Sequence, residues 1–233
     1  MNTWPFLTAR WSNLSLFTFA VAPERLAPRL PAGLELDTRE GRAFVSVVGL
    51  DFQKTRVLGV GWPGFRAFPD INFRFYARRG DQRGVVFIRE IVSHRFVAWL
   101  ARTCYGEPFV SAPLASKVTE ESGSLTVERR FDLGGRTHRL CMTGSKPALP
   151  VTASSDEHFF TDRAWGWSRN RRGETESFRV EHPVWNCYPV VASEIDLDWG
   201  LVYGEEWAFL TGAKPFATAL AVGSEIKVFT KGR

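Results

Sequence analysis

Asn72, Arg74, Arg89 and Glu90 stand inside two stretches that are otherwise apolar and aromatic, INFRFYARR and GVVFIREIV. A charged group away from water is costly unless it is paired. Its presence in such a stretch therefore marks either an ion pair or the polar wall of a pocket. Guanidinium groups of Arg74 and Arg89 on neighbouring strands can hold a carboxylate or an enolate oxygen through charge-assisted hydrogen bonds. Glu90 can carry a proton if burial raises its pKa. Strand alternation sends Arg89 and Glu90 to opposite faces, so only one of them shares a face with Arg74. The competing reading is a plain Arg–Glu ion pair at the strand ends.

Other chemistries find less support. His94, His138, His158 and His182 are scattered without H-x-x-x-H spacing, so no metal site is expected. Cys104, Cys141 and Cys187 are far apart and form no C-x-x-C pair, which fits reduced thiols in the cytosol. There is no G-x-S-x-G elbow, and Thr143-Gly144-Ser145-Lys146 has the wrong order for a phosphate loop. No cofactor is expected. The net charge of +5 is mostly arginine spread along the chain, so no nucleic-acid partner is expected either. No basic leader precedes an apolar core, and no apolar run approaches the ~20 residues of a membrane helix. The expectation is a cytoplasmic protein with no membrane partner; self-association is compatible with the sequence.

The elements that must position these residues read mainly as strands. Aromatic residues reach 14% of 233, with nine Trp and nineteen Phe, which suits a β-rich fold with wide walls or a lined cavity. Residues 14–21, 43–52, 71–79 and 84–92 have strand composition. Between them lie a short helix at PERLAPRL, opened by Pro23 and closed by Pro31 and Gly33, and a long irregular connection over 53–69, of the kind that often serves as a lid or rim. A polar and an apolar face alternate along 71–79, whereas 84–92 is apolar on both faces and so buried on both sides. Helical spacing over 94–105, capped by Ser93, ends at Gly106 and Pro108. Gly123 and Gly134-Gly135 join three strands into a meander. A short helix at 156–164, two strands around a turn near 170, a short helix within LVYGEEWAFL and a terminal strand at 217–230 complete the chain. The reading is mainly β with short helices: one domain over residues 1–233, a closed antiparallel β-barrel or cone.

The stretches RLAPRLPAGLELDTREGRAFVSVVGLDF, FPDINFRFYARR, GVVFIREIV and ARTCYGEPF resemble the uncharacterised YqjF-like family, as do DEHFFTDRAW, FRVEHPVW and the last strand. That family is similar in fold to the acetoacetate decarboxylase superfamily. The resemblance implies a barrel of that type with a central, partly polar cavity. It also implies Asn72, Arg74, His182 and Trp185 as positions characteristic of the family, with Arg163 as a further candidate. The decarboxylases use two lysines following Gly-x-Pro; one forms an imine with a keto acid, its pKa lowered by the other. Here Gly106-Glu107-Pro108 is followed by Phe109 and Val110, so Schiff-base decarboxylation is expected to be absent. Lys117 is the nearest amine and reads as a surface residue on a hairpin. The expected function is binding of a small apolar anion or carbonyl ligand, with Asn72, Arg74, Arg89 and Phe109 at the ligand. One alternative is an enzyme acting on a keto acid through Glu90 or His182, and another is a structural or protein-interaction barrel.

Overall fold

The computed structural model describes residues 4–93, 109–170 and 172–230. The helix expected over 94–105, its Ser93-capped start, Cys104 and the Gly106-Glu107-Pro108 elbow fall on or depend on residues outside that set.

Fourteen strands carry the described chain. The long ones are β1 (Leu7–Val21), β3 (Ala43–Val57), β4 (Phe68–Arg79), β5 (Gln82–Val92) and β14 (Ala217–Thr230). Two shorter strands, β10 (Trp165–Arg169) and β11 (Thr175–Glu181), complete the main set. Their pairings run β4-β3-β1-β14-β11-β10-β5, and β5 also pairs with β4, so the neighbours form a ring of seven strands. The ring is not wholly antiparallel as expected. β10 runs parallel to β5 over Trp165–Trp167, and the short β6 (Phe109–Ser111) also lies parallel on β5. Gly84 makes the first contact possible, because a Cβ there would lie 2.1 Å from the Trp165 carbonyl oxygen. Two small strands, β2 (Glu35–Leu36) and β12 (Cys187–Tyr188), attach to β4 and β14.

The meander forms, but outside the ring. β7 (Leu114–Glu121), β8 (Ser124–Leu133) and β9 (Arg136–Ser145) join β13 (Val190–Asp196) in a separate four-stranded sheet. Its apolar face, with Leu125, Val127, Phe131, Leu140 and Met142, packs against outward residues of the ring such as Phe17, Val47, Ile71 and Phe73. The helix α2 (Trp199–Tyr203) and a 3-10 turn at Glu205–Leu210 join this core; Phe73 meets Trp199, Tyr203 and Trp207 there. α1 (Asp156–Thr161), capped by the Ser155 side chain, brings Phe159 and Phe160 against Phe44 and Tyr76 in the second core, on the other side of the ring strands.

Three local readings change. PERLAPRL forms two 3-10 turns, Pro23–Arg25 and Ala27–Arg29, instead of one helix; Pro28 has no amide to continue an α-helical ladder. β3 runs five residues past the expected end, and Thr55 donates its amide to Arg66, so the connection shortens to residues 58–67. β4 begins at Phe68, three residues early, which turns Asp70 from a loop residue into a strand residue.

Candidate functional site: a cavity inside the strand ring

All seven ring strands contribute side chains to one cavity of about 550 Å³. Most of its wall is apolar: Trp11, Val48, Leu50, Phe87, Phe178 and Val180 are typical. Around its mouth stand Leu58, Val60 and Trp62, each more than half exposed. These come from the connection between β3 and β4.

The polar wall lies on β4 and β5. Asp70, Asn72 and Arg74 alternate along β4 and share the inward face. Asn72 pairs with Glu90, but Arg74 pairs with Phe87, so Ile88 is an extra residue on β5. This β-bulge reverses the alternation. Val85 and Phe87 line the cavity before it, and Glu90 and Val92 line it afterwards. Glu90 therefore joins Arg74. Arg89 faces the other way, does not line the cavity, and donates from Nη1 to the Val202 carbonyl of α2. The sequence reading put at most one of Arg89 and Glu90 beside Arg74; the bulge selects Glu90, and the expectation of Arg89 at the ligand is not met.

Asp70 was not among the expected site residues. Only 4% of it is exposed. Asn72 donates Nδ2 to its Oδ2 at 3.1 Å. Burial pushes the Asp70 carboxyl up to about 7, against the Asn72 hydrogen bond and the charges of Arg129 and Arg74. Arg74 donates Nη2 to the Phe160 carbonyl at 3.2 Å and lies 5.9 Å from the Tyr76 ring centre. Asn72 Oδ1 and Arg74 Nε are buried and have no hydrogen-bond partner.

Arg163, His182, Trp185 and Phe109 also line the cavity. Arg163 donates to the Asp37 carboxylate and the Phe159 carbonyl. Arg83 reaches the same carboxylate at 2.8 and 3.1 Å. Burial pushes Arg163 down to about 10, with Asp37 acting in the opposite direction. His182 places Nδ1 2.9 Å from the Pro183 carbonyl and Nε2 3.4 Å from the Arg163 carbonyl, and stacks on Trp185 at 4.2 Å. Trp185 donates Nε1 to Ser224 Oγ at 2.8 Å. His182 thus ties two loops together and Trp185 ties a loop to β14, both at the cavity wall. Phe109 packs with Phe68 and Val92.

Among the described residues, no lysine lines the cavity. Lys117 is exposed on β7, an edge strand of the separate sheet. Among the described residues, no three His, Cys, Asp or Glu side chains are grouped as metal ligands would be. No helix among them is long and apolar enough to cross a membrane.

The fold is that of the acetoacetate decarboxylase-like proteins. An acetoacetate decarboxylase-like enzyme from Sphingomonas wittichii RW1 superposes with a TM-score of 0.62 at 12% identity, over 99% of this chain and 92% of its own. The enduracididine biosynthesis enzyme MppR complexed with pyruvate gives 0.66 at 13% identity, over 100% of this chain and 91% of that one. At such identities the likeness is one of fold. The sequence itself matches the DUF2071 family, described as an uncharacterized conserved protein, over residues 8–225, and the chain belongs to that family. It is 29% identical over 157 residues to the uncharacterized protein YqjF of Bacillus subtilis (strain 168). That match takes in 66% of this chain and 63% of the relative's length.

Proposed function

We propose that this chain acts as one cytoplasmic domain whose cavity binds a small, mainly apolar molecule by a carbonyl or carboxylate end held at Arg74. The observation that carries this reading is the cavity of about 550 Å³, mostly apolar, with Asp70, Asn72, Arg74 and Glu90 grouped on the wall formed by β4 and β5. Ligand sites combine those two properties: apolar bulk for affinity and a few convergent polar groups for orientation. A protein of similar fold, MppR, is known complexed with pyruvate, a small carbonyl acid. Imine chemistry is not part of the proposal, because no lysine among the described residues stands at the cavity wall.

The test is mass spectrometry of small molecules released from natively purified protein, joined to titrations with octanoate and methyl hexyl ketone. Trp11, Trp62, Trp165 and Trp185 line the cavity and provide the fluorescence signal. Saturable binding is expected, weakened about tenfold in Arg74→Ala, since a hydrogen bond from a charged donor contributes about 1.5–3 kcal/mol. No released molecule, together with no saturable response to either probe, would overturn the proposal. Borohydride treatment with a panel of keto acids is expected to leave no covalent adduct; a modified lysine would restore the imine route.

A second reading, general acid–base chemistry on a keto acid or related anion, is favoured by one observation. Asp70 carries a carboxyl at the cavity wall that titrates near neutral pH. It joins Glu90 and His182 as a proton carrier in that reading.

A further inference from the structure

Asn72 is 4% exposed, lines the cavity, and points its amide nitrogen at Asp70. That contact fixes which end of the amide is engaged. Nδ2 donates to Asp70 Oδ2 at 3.1 Å, which leaves Oδ1 as the acceptor. Oδ1 is buried and accepts nothing from the protein. Two positions along the same strand face, the Nε of Arg74 is a buried donor that also lacks a partner. A buried polar atom left unmatched is costly. The polar wall therefore offers one acceptor and one donor side by side.

The charges of the wall narrow the ligand further. Asp70 and Glu90 bring two carboxyl groups, and the guanidinium of Arg163 is engaged by Asp37. Arg74 is the one lining cation not held by a carboxylate among the described residues. A bare carboxylate would be brought beside two further carboxyl groups and would offer nothing to Asn72 Oδ1. A simple ketone would satisfy Arg74 alone.

We infer that the polar end of the ligand is a neutral hydroxy-carbonyl group, whose carbonyl oxygen accepts from Arg74 and whose adjacent hydroxyl donates to Asn72 Oδ1. This rests on the ligand-binding reading above and specifies its substrate class.

Three probes of equal chain length separate the possibilities: hydroxymethyl hexyl ketone, methyl hexyl ketone and octanoate. They are titrated into the intact protein by calorimetry at about pH 8, above the Asp70 transition. The hydroxymethyl ketone is expected to bind about tenfold tighter than the methyl ketone, the effect of one well-made hydrogen bond to a buried acceptor. Octanoate is expected to bind no tighter than the methyl ketone. In Asn72→Leu, which keeps the shape and removes the acceptor, the preference for the hydroxyl should fall to within about twofold. The ranking in the unmodified protein stands even if that variant does not fold. Equal affinity for the two ketones, or tightest binding of octanoate, overturns the hydroxy-carbonyl assignment while leaving the cavity a ligand site. Binding of none of the three overturns both.

Discussion

Asp70 shows at the scale of one residue what a buried carboxyl costs the fold. Its carboxyl titrates at about 7 in the folded chain against an ordinary 3.8, because burial disfavours the charged form. Between those values the native state binds the proton that the unfolded state has released. Stability contributed by this group is therefore greatest on the acid side and declines as pH rises through about 7. Asp70→Asn keeps an acceptor for Asn72 and removes the charge. Urea unfolding at about pH 8 should show the variant more stable by roughly 1–3 kcal/mol, with a smaller difference at about pH 5. An identical pH slope in both proteins would show that Asp70 is not the group responsible. Arg89 provides the contrast. Its partner is the Val202 carbonyl, away from the cavity. Arg89→Met should leave probe affinity within about twofold and cost roughly 1 kcal/mol of stability; a large loss of affinity would return Arg89 to the site.

At the scale of the element, a one-residue bulge decides which charge reaches the cavity. Period-two alternation correctly puts Asn72 and Arg74 on one face of β4, and the apolar run Val85–Ile88 of β5 supplies side chains both to the cavity and to the outer core. The extra Ile88 leaves no mark in residue type, so neither Arg89 nor Glu90 could be assigned from spacing alone. Asp70 was missed for a similar reason: it follows Pro69, which reads as a loop residue, yet β4 starts before the proline. Arg129 on β8 was also illegible as a core residue. It is 1% exposed, donates to Ser15 and the Asn13 carbonyl at 2.9 Å, and pairs with Asp51 at 3.2 Å. Its stem lies over Gly49 of β3, where a Cβ would come within 2.7 Å. Nothing local to either sequence announces that contact, since the two residues come from different sheets. Arg129→Met should destabilise by about 3–5 kcal/mol, because it strands the largely buried Asp51 carboxylate. Denaturant midpoints measure this; a change below about 1 kcal/mol would mean that water reaches Asp51 freely.

At the scale of the molecule, the mainly β class and the hairpins were legible, because turn residues and strand composition are local signals. The division into a ring and a separate sheet was not, since it depends on which distant strands meet. The ring is also uneven. β1 and β14 pair from Leu7↔Val228 to Thr18↔Ala217, whereas β10 meets β5 only across Trp165, Gly166 and Trp167. Native-state hydrogen exchange should therefore show the highest protection along β1 and β14 and lower protection along β10, as expected where few ladder bonds hold a seam. Equal protection throughout would argue that side-chain packing, not the ladder, holds the seam. The strong pairing has a consequence in time. β14 is made last of the seven strands, so a chain emerging from the ribosome carries β1 through the synthesis of the other five ring strands without that neighbour. The chamber exists only once the final strand has arrived. A molecule held there would reward chains whose ring is closed and could not guide shorter ones.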